Sequence, residues 1–316
     1  MAIKKYIAAM MFFSGGCTAQ TDSIANPYIE EFPDKISVQV SVLNTSNKFS
    51  IDYREEKVKL DLVPNQKTTI NFALQYDIVS VSFGIAPKFF ANNNDSNKGS
   101  KMTAFSFSLF PKRWMQHFDL YYQKGLTLNA TDMPSIYFPE LKTLKVGGST
   151  SYIFNEKFSF QALAFQNARQ LKSAGTFAPS LSYYYTELNG NKVEGIDGTI
   201  YFIDVALAPA YNYNWVISKN FLVAGGLSLG GGITRTVDED ENYTSFLTQA
   251  SLSISLGYNS DSFYGGVYSK GIVSNYDTES HAAMDDAISY ATAFLGYRFD
   301  APSYLQKERK KIKEKL

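Results

Sequence analysis

Chemistry that depends on histidine or cysteine has little to draw on in this 316-residue chain, which holds only His117, His281 and Cys17. A structural zinc site takes about four nitrogen or sulfur ligands and a catalytic one about three, so the common zinc centres are excluded and no metal or other cofactor is expected. His117, Asp119 and Tyr121 alternate along the chain, and on a strand such residues share a face. Paired with one of the many serines, His117 would serve as the base of a barrel-embedded hydrolase. No motif singles out that serine, so hydrolysis is the remote reading, the chain is taken as no enzyme, and His117 as a polar strand residue. The run from Gly225 to Gly232 lacks the Lys and Ser or Thr of a phosphate loop and suits close packing or a bend in a strand. Asp238, Glu239, Asp240 and Glu241 offer the hard oxygens that Ca2+ takes, yet a charge run between strands reads first as a solvated loop. Asp285 with Asp286 is a weaker case.

The elements that must position these residues are strands. Ile36, Val38, Val40 and Val42 alternate with Lys35, Ser37, Gln39 and Ser41, and Ile70, Phe72, Leu74 and Tyr76 alternate with Thr69, Asn71, Ala73 and Gln75. A third run sets Phe246, Ala250, Leu252, Ile254, Leu256 and Tyr258 against Gln249, Ser251, Ser253, Ser255 and Gly257. Period-two patterns give one apolar and one polar face. Weaker versions fall at 57–63, 78–86, 103–110, 143–154, 157–166, 211–217, 221–229 and 287–299. The region 47–63 allows a strand pair or one bulged strand, and 175–217, interrupted by Pro209, has no clean parity. Charged residues make up 19% of the chain against roughly 25% in soluble domains, while aromatic residues reach 15%, with 22 Tyr, 24 Phe and 2 Trp. The apolar face therefore suits lipid and the polar face a lumen. Thirty basic residues balance thirty acidic ones, which excludes a global field for nucleic acid. A mean hydropathy of -0.19, with no apolar run of about 18 residues, excludes a bundle of membrane helices.

Connections and ends agree. Short junctions at Asp77, Lys112–Arg113, Asn155–Glu156, Lys219–Asn220 and Ser260–Asp261 alternate with long polar ones at 91–100, 129–140, 187–198, 234–243 and 274–286, as the periplasmic turns and outer loops of bacterial barrels do. Tyr121, Tyr122, Tyr183, Tyr184, Tyr185, Tyr211, Tyr213, Trp215, Tyr297 and Phe299 stand near the ends of these strands, where aromatic girdles form. Residues 1–19 read as a cleavable signal peptide, with Lys4 and Lys5 before a short apolar stretch and Ala19 at the cut; lipidation of Cys17 is the rival. Residues 20–34 form a periplasmic lead-in, 35–299 the barrel and 300–316 a basic periplasmic tail. Leu295, Tyr297 and Phe299 make a terminal alternating triplet like the closing-strand signal read by the barrel assembly machinery.

The segments KISVQVSV, YREEKVKLDLVPN, LQYDIVSVSFGIAPK, RQLKSAGTF, APAYNYNWVISKNF and GYRFDAP together resemble a family of uncharacterised Bacteroidales outer-membrane barrels, domain of unknown function 4421. The resemblance implies the membrane and assigns no activity. The expectation is an all-β protein: a transmembrane antiparallel up-and-down barrel of about 12 strands, within roughly 10 to 14. It would be exported to the outer membrane of a Gram-negative cell, with lipid and the assembly machinery as partners and an undetermined oligomeric state. Parity puts Lys35, Lys57, Lys59, Lys67, Asp119, Lys145, Lys157 and Arg298 on the lumen side, with Asp61 beside them. That excess of positive charge would favour anions. A passive pore is therefore the first functional reading, and a structural or surface-interaction barrel with a plugged lumen the alternative.

Overall fold

The computed structural model describes residues 26–53, 58–64, 68–90, 93, 100–130, 134–164, 167–191, 198–237, 242–277 and 282–315. The expected signal peptide, Lys57, Lys67, His281 and the acidic run Asp238 to Glu241 lie outside them. The sheet grows from the alternating segments in chain order: β2 (Lys35–Tyr53), β3 (Val58–Pro64), β4 (Thr68–Tyr76), β5 (Val79–Ile85), β6 (Lys101–Leu109), β7 (Trp114–Ala130) and β8 (Ile136–Tyr152). It continues through β10 (Ala174–Phe177), β11 (Ser180–Asn189), β12 (Thr199–Ala208), β13 (Ala210–Ser218), β14 (Phe221–Val237), β15 (Asn242–Asn259), β16 (Phe263–Asp277) and β17 (Ala282–Asp300). A short β1 (Ile29–Glu31) and β9 (Ala168–Gln170) pair with each other apart from this sheet. Every pairing is antiparallel, and β17 pairs with β2 from Ala282 opposite Tyr53 to Asp300 opposite Lys35. That last pairing closes a ring of 12 strands, the expected number.

Three positions in the wall are shared by two segments each. Proline explains two of them, since it cannot donate to a ladder. Pro209 separates β12, paired with β11 and the upper part of β14, from β13, paired with β10 and the lower part of β14. Pro179 separates β10 from β11 in the same way. The third is the 47–63 region, which is a strand pair: β2 runs on to Tyr53 and β3 returns along it, while the other edge of β3 pairs with β7 from Leu60 opposite Ala130 to Pro64 opposite Leu126. Strands of 15 to 19 residues in β14 through β17 exceed the roughly 9 to 11 needed to cross a bilayer. The expected long connections are accordingly shorter, as strand occupies parts of 129–140, 234–243 and 274–286.

The two faces follow the alternation. Phe72, Leu74, Phe83, Leu181, Leu207, Leu227, Leu252, Ile254 and Leu295 are exposed on the outside, Leu252 at 64% and Leu295 at 62%. Ser37, Ser41, Gln75, Ser80, Asp119, Asp204, Thr234, Ser255 and Ser274 are buried inside. No soluble core uses its largest apolar residues this way, whereas a membrane-spanning wall must. The chain is a transmembrane antiparallel β-barrel. One end has tight turns, and two of them place a non-glycine residue at positive φ, Asp77 at 51° and Lys112 at 53°. Within the glycine run, a Cβ on Gly232 would come 2.0 Å from the Val205 carbonyl oxygen, so absence of a side chain lets β12 and β14 approach.

Candidate functional site

Segment 157–166 is not the wall strand that its alternating Phe158 and Phe160 suggested. Ser159 accepts a hydrogen bond from the Ala162 amide at 3.2 Å and caps a one-turn helix, α1 (Phe160–Leu163). A capping serine before Gln-Ala-Leu-Ala, with its good helix formers, outweighs the local alternation. The chain between β8 and β10 thus turns into the tight-turn end of the barrel instead of crossing the membrane.

Its contacts reach several sides of the ring. Gln161 donates to the Asp77 carbonyl at 3.2 Å, in the turn between β4 and β5. Asn167 donates to the Lys35 carbonyl at 3.1 Å and accepts from Ser37, both on β2. Asn214 of β13 donates to the Ser159 carbonyl and to Gln170, each at 3.0 Å. Asn259 of β15 donates to the Ala168 carbonyl at 3.0 Å. Leu163 packs on the inward cluster of Leu222, Ala224, Tyr264 and Phe294, and Ala162 is fully buried. The described residues of this segment, tied to β2, β13 and β15 at once, reach from one side of the ring to another at its tight-turn end.

The lead-in holds the same segment from the other side. β1 pairs with β9, matching Ile29 to Gln170, and the Phe32 amide donates to the Asn167 carbonyl at 2.9 Å. Arg169 forms ion pairs with Glu30 and, at 2.9 Å, with Asp261. Arg298, almost wholly buried, donates to the Ser260 carbonyl at 2.7 Å and to Asn259 at 2.8 Å. Its guanidinium lies 4.6 Å from the Phe32 ring centre and 4.5 Å from that of Tyr264, close enough for cation–π attraction. The tail is a helix, α2 (Ser303–Lys315), whose Arg309 pairs with Asp34 at 2.7 Å.

The residues assigned to the lumen by parity separate into groups. Asp119 is buried inside, accepting from Ser106 at 2.7 Å, Tyr121 at 3.3 Å and Tyr184 at 3.2 Å. Lys145 faces Asp286 at 3.9 Å and lies 5.0 Å from the Tyr184 ring centre. Lys35, Lys157 and Arg298 belong to the tight-turn rim: Lys35 donates to the Asp261 carbonyl at 3.0 Å, and Lys157 lies over Tyr28 at 5.0 Å. Lys59 is exposed on β3, and Asp61 accepts from Ser50 at 2.7 Å. Parity missed Asp204, Asp286 and Lys270, which carry inward positions on β12, β17 and β16. Counting them, the described lumen mixes both signs and lacks the one-sided positive charge that would favour anions. Tyr121 and Tyr184 also turn inward, unlike the girdle expected of them, while Tyr211, Tyr213, Trp215, Tyr297 and Phe299 are exposed on the outside. No group of metal-binding side chains occurs among the described residues.

Residues 20–299 match a family described as a domain of unknown function (DUF4421). No curated protein matches the chain. Among solved structures it is similar to OmpT, an outer membrane protein of Vibrio cholerae, at 8% identity over 84% of this chain and 98% of that one, with a TM-score of 0.34. The translocator domain of the autotransporter NalP from Neisseria meningitidis is 7% identical over 93% of each chain, with a TM-score of 0.40. An outer membrane channel from Pseudomonas putida F1 is 8% identical over 89% of this chain and 100% of that one, also with a TM-score of 0.40.

Proposed function

The chain belongs to the DUF4421 family, whose description carries no activity, and from that premise we propose an outer-membrane β-barrel held shut at its periplasmic end, serving a structural or surface-interaction role rather than as an open pore. Export by a cleaved signal peptide and insertion by the barrel assembly machinery are part of this reading. Short turns at one end and strands overreaching the bilayer at the other match the polarity of bacterial barrels, with tight turns facing the periplasm. The observation that carries the closed state is the hydrogen bonding of the described residues of 153–173 to β2, β13 and β15 at once, across the tight-turn end of the lumen. Its buried polar groups are paired with the wall, and breaking such pairs leaves desolvated donors and acceptors at about 1–3 kcal/mol each. The plugged barrel, the second of the readings that the sequence offers, is therefore preferred to the pore.

Planar-bilayer recording tests it. The full-length mature protein is expected to give no steady conductance, and a variant with 158–172 replaced by a short Gly-Ser turn is expected to open steps of ion flow. Steady current through the unaltered protein would overturn the closed-barrel reading and restore the pore.

A further inference from the structure

Asp119 has a second role beside its place in the lumen. Its carboxylate accepts from the hydroxyls of Ser106 and Tyr121 at Oδ1 and of Tyr184 at Oδ2, and the His117 ring places Nε2 2.9 Å from Oδ1. An acceptor at that site keeps the proton on Nε2, so the other ring nitrogen presents a lone pair. That nitrogen, Nδ1, lies 2.7 Å from Oγ of Ser108. Register explains the arrangement. Ser108 and His117 are directly paired across β6 and β7, as are Ser106 and Asp119. Paired residues stand about 5 Å apart at Cβ, so the near ring nitrogen meets the serine and the far one meets the carboxylate two residues up the strand. The His117 side chain is 29% exposed and that of Asp119 only 6%, so the orienting carboxylate is enclosed while the imidazole opens on the lumen.

We propose that Ser108, His117 and Asp119 form an acyl-transfer site that hydrolyses small, water-soluble carboxylic esters entering the lumen. The Ser108 oxygen attacks the ester carbonyl carbon and its proton passes to His117 Nδ1. Collapse of the adduct breaks the bond to the alkoxy oxygen, which takes that proton and leaves as the alcohol. Water then attacks the acyl-serine, returning one proton through Nδ1 to Oγ and releasing the carboxylic acid. Ser108 and His117 touch the reacting atoms and Asp119 is a positioning residue. The substrate class follows from the wall: Ser108 pairs with Ser80 and His117 with Ser149, giving a lining of serine hydroxyls beside those of Tyr121 and Tyr184. The membrane's acyl chains lie beyond the outward side chains Phe105 and Phe107. Hydroxyl-rich esters such as O-acetyl sugars fit this lining and phospholipids do not.

The proposal is independent of the plug and is tested on the full-length mature barrel in detergent, with folding checked by heat-modifiable gel migration. A fluorophosphonate probe is expected to form an adduct located on Ser108 by peptide mass, and p-nitrophenyl acetate to be hydrolysed. Ser108→Ala and His117→Gln are expected to abolish the adduct and to lower hydrolysis by at least about 100-fold. Asp119→Asn is expected to lower kcat by a similar factor with KM unchanged. Absence of an adduct on the folded wild-type barrel, or hydrolysis undiminished in folded Ser108→Ala, overturns the site. The position of the wild-type adduct decides the matter even where a variant folds poorly.

Discussion

Arg298 shows how a single side chain can join three parts of the chain that lie far apart in sequence. Its inward direction was legible, because Leu295, Tyr297 and Phe299 fix the opposite parity. Its partners were not, since Phe32, Asn259 and Ser260 are near it only once the ring has closed. A buried guanidinium that donates to two acceptors and stacks between two rings uses both its fork and its flat faces, and lysine supplies neither. Arg298→Ala is therefore expected to cost about 3 kcal/mol, from charged hydrogen bonds of about 1.5–3 kcal/mol each less what water recovers, and Arg298→Lys to recover less than half of it. Urea unfolding in detergent gives the magnitude. Limited proteolysis is expected to cut within 26–34 sooner in both variants, as Phe32 loses its clamp. Asp204 and Asp286 escaped parity for another reason. Pro179 and Pro209 interrupt the alternation around Asp204, and Asp286 lies in a stretch whose polarity read as loop although β17 already passes through it.

At the level of the element, alternation located most of the wall, and it failed where an alternating segment is covered by protein instead of lipid. Residues 157–166 carry the same zigzag as a spanning strand, yet Phe158 packs on Ile153 and Ala174 inside the barrel end. Nothing local separates the two outcomes except the Ser159 cap. Where the wall was found, its face assignment can be tested on neighbouring residues. Phe72 is exposed to the outside at 50%, while Asn71 donates to Thr69 on the inner face at 3.2 Å. Phe72 stands five residues above the Asp77 turn, roughly 12 Å along the membrane normal at 3.3 Å per residue and a tilt of about 40°, which is near the midplane. Phe72→Arg is expected to cost about 2–4 kcal/mol in refolding into lipid, and Asn71→Arg much less. Equal costs would mean the faces are misassigned. β17 allows a different test, because Tyr297 and Phe299 lie outside the ring and contribute little to the lumen. Replacing both by serine is expected to reduce membrane insertion in cells severalfold while leaving refolding into detergent within twofold. A matching loss in both settings would assign the triplet to stability rather than to recognition by the assembly machinery.

For the molecule as a whole, the decisive feature is that closure and inversion occur together. The β17–β2 pairing closes the ring, so each of its 12 strands is paired on both sides within the sheet, as a spanning structure must be. The same ring turns Val38, Leu74, Leu207, Leu252 and Leu295 outward and keeps Ser, Thr, Asn and Asp within. A soluble protein of this composition would reverse that arrangement, because exposed apolar surface costs about 25 cal/mol per Å² in water and contiguous patches beyond a few hundred Å² drive association. The purified mature chain is accordingly expected to remain a compact monomer only with detergent or lipid. In analytical ultracentrifugation, removal of detergent should convert it wholly to large aggregates, while the folded, heat-modifiable band persists as long as micelles are present. A compact monomer in plain buffer would require a second protein layer over the outer face. The lumen, the plug and the Ser108 site would then all have to be reinterpreted as parts of a soluble barrel.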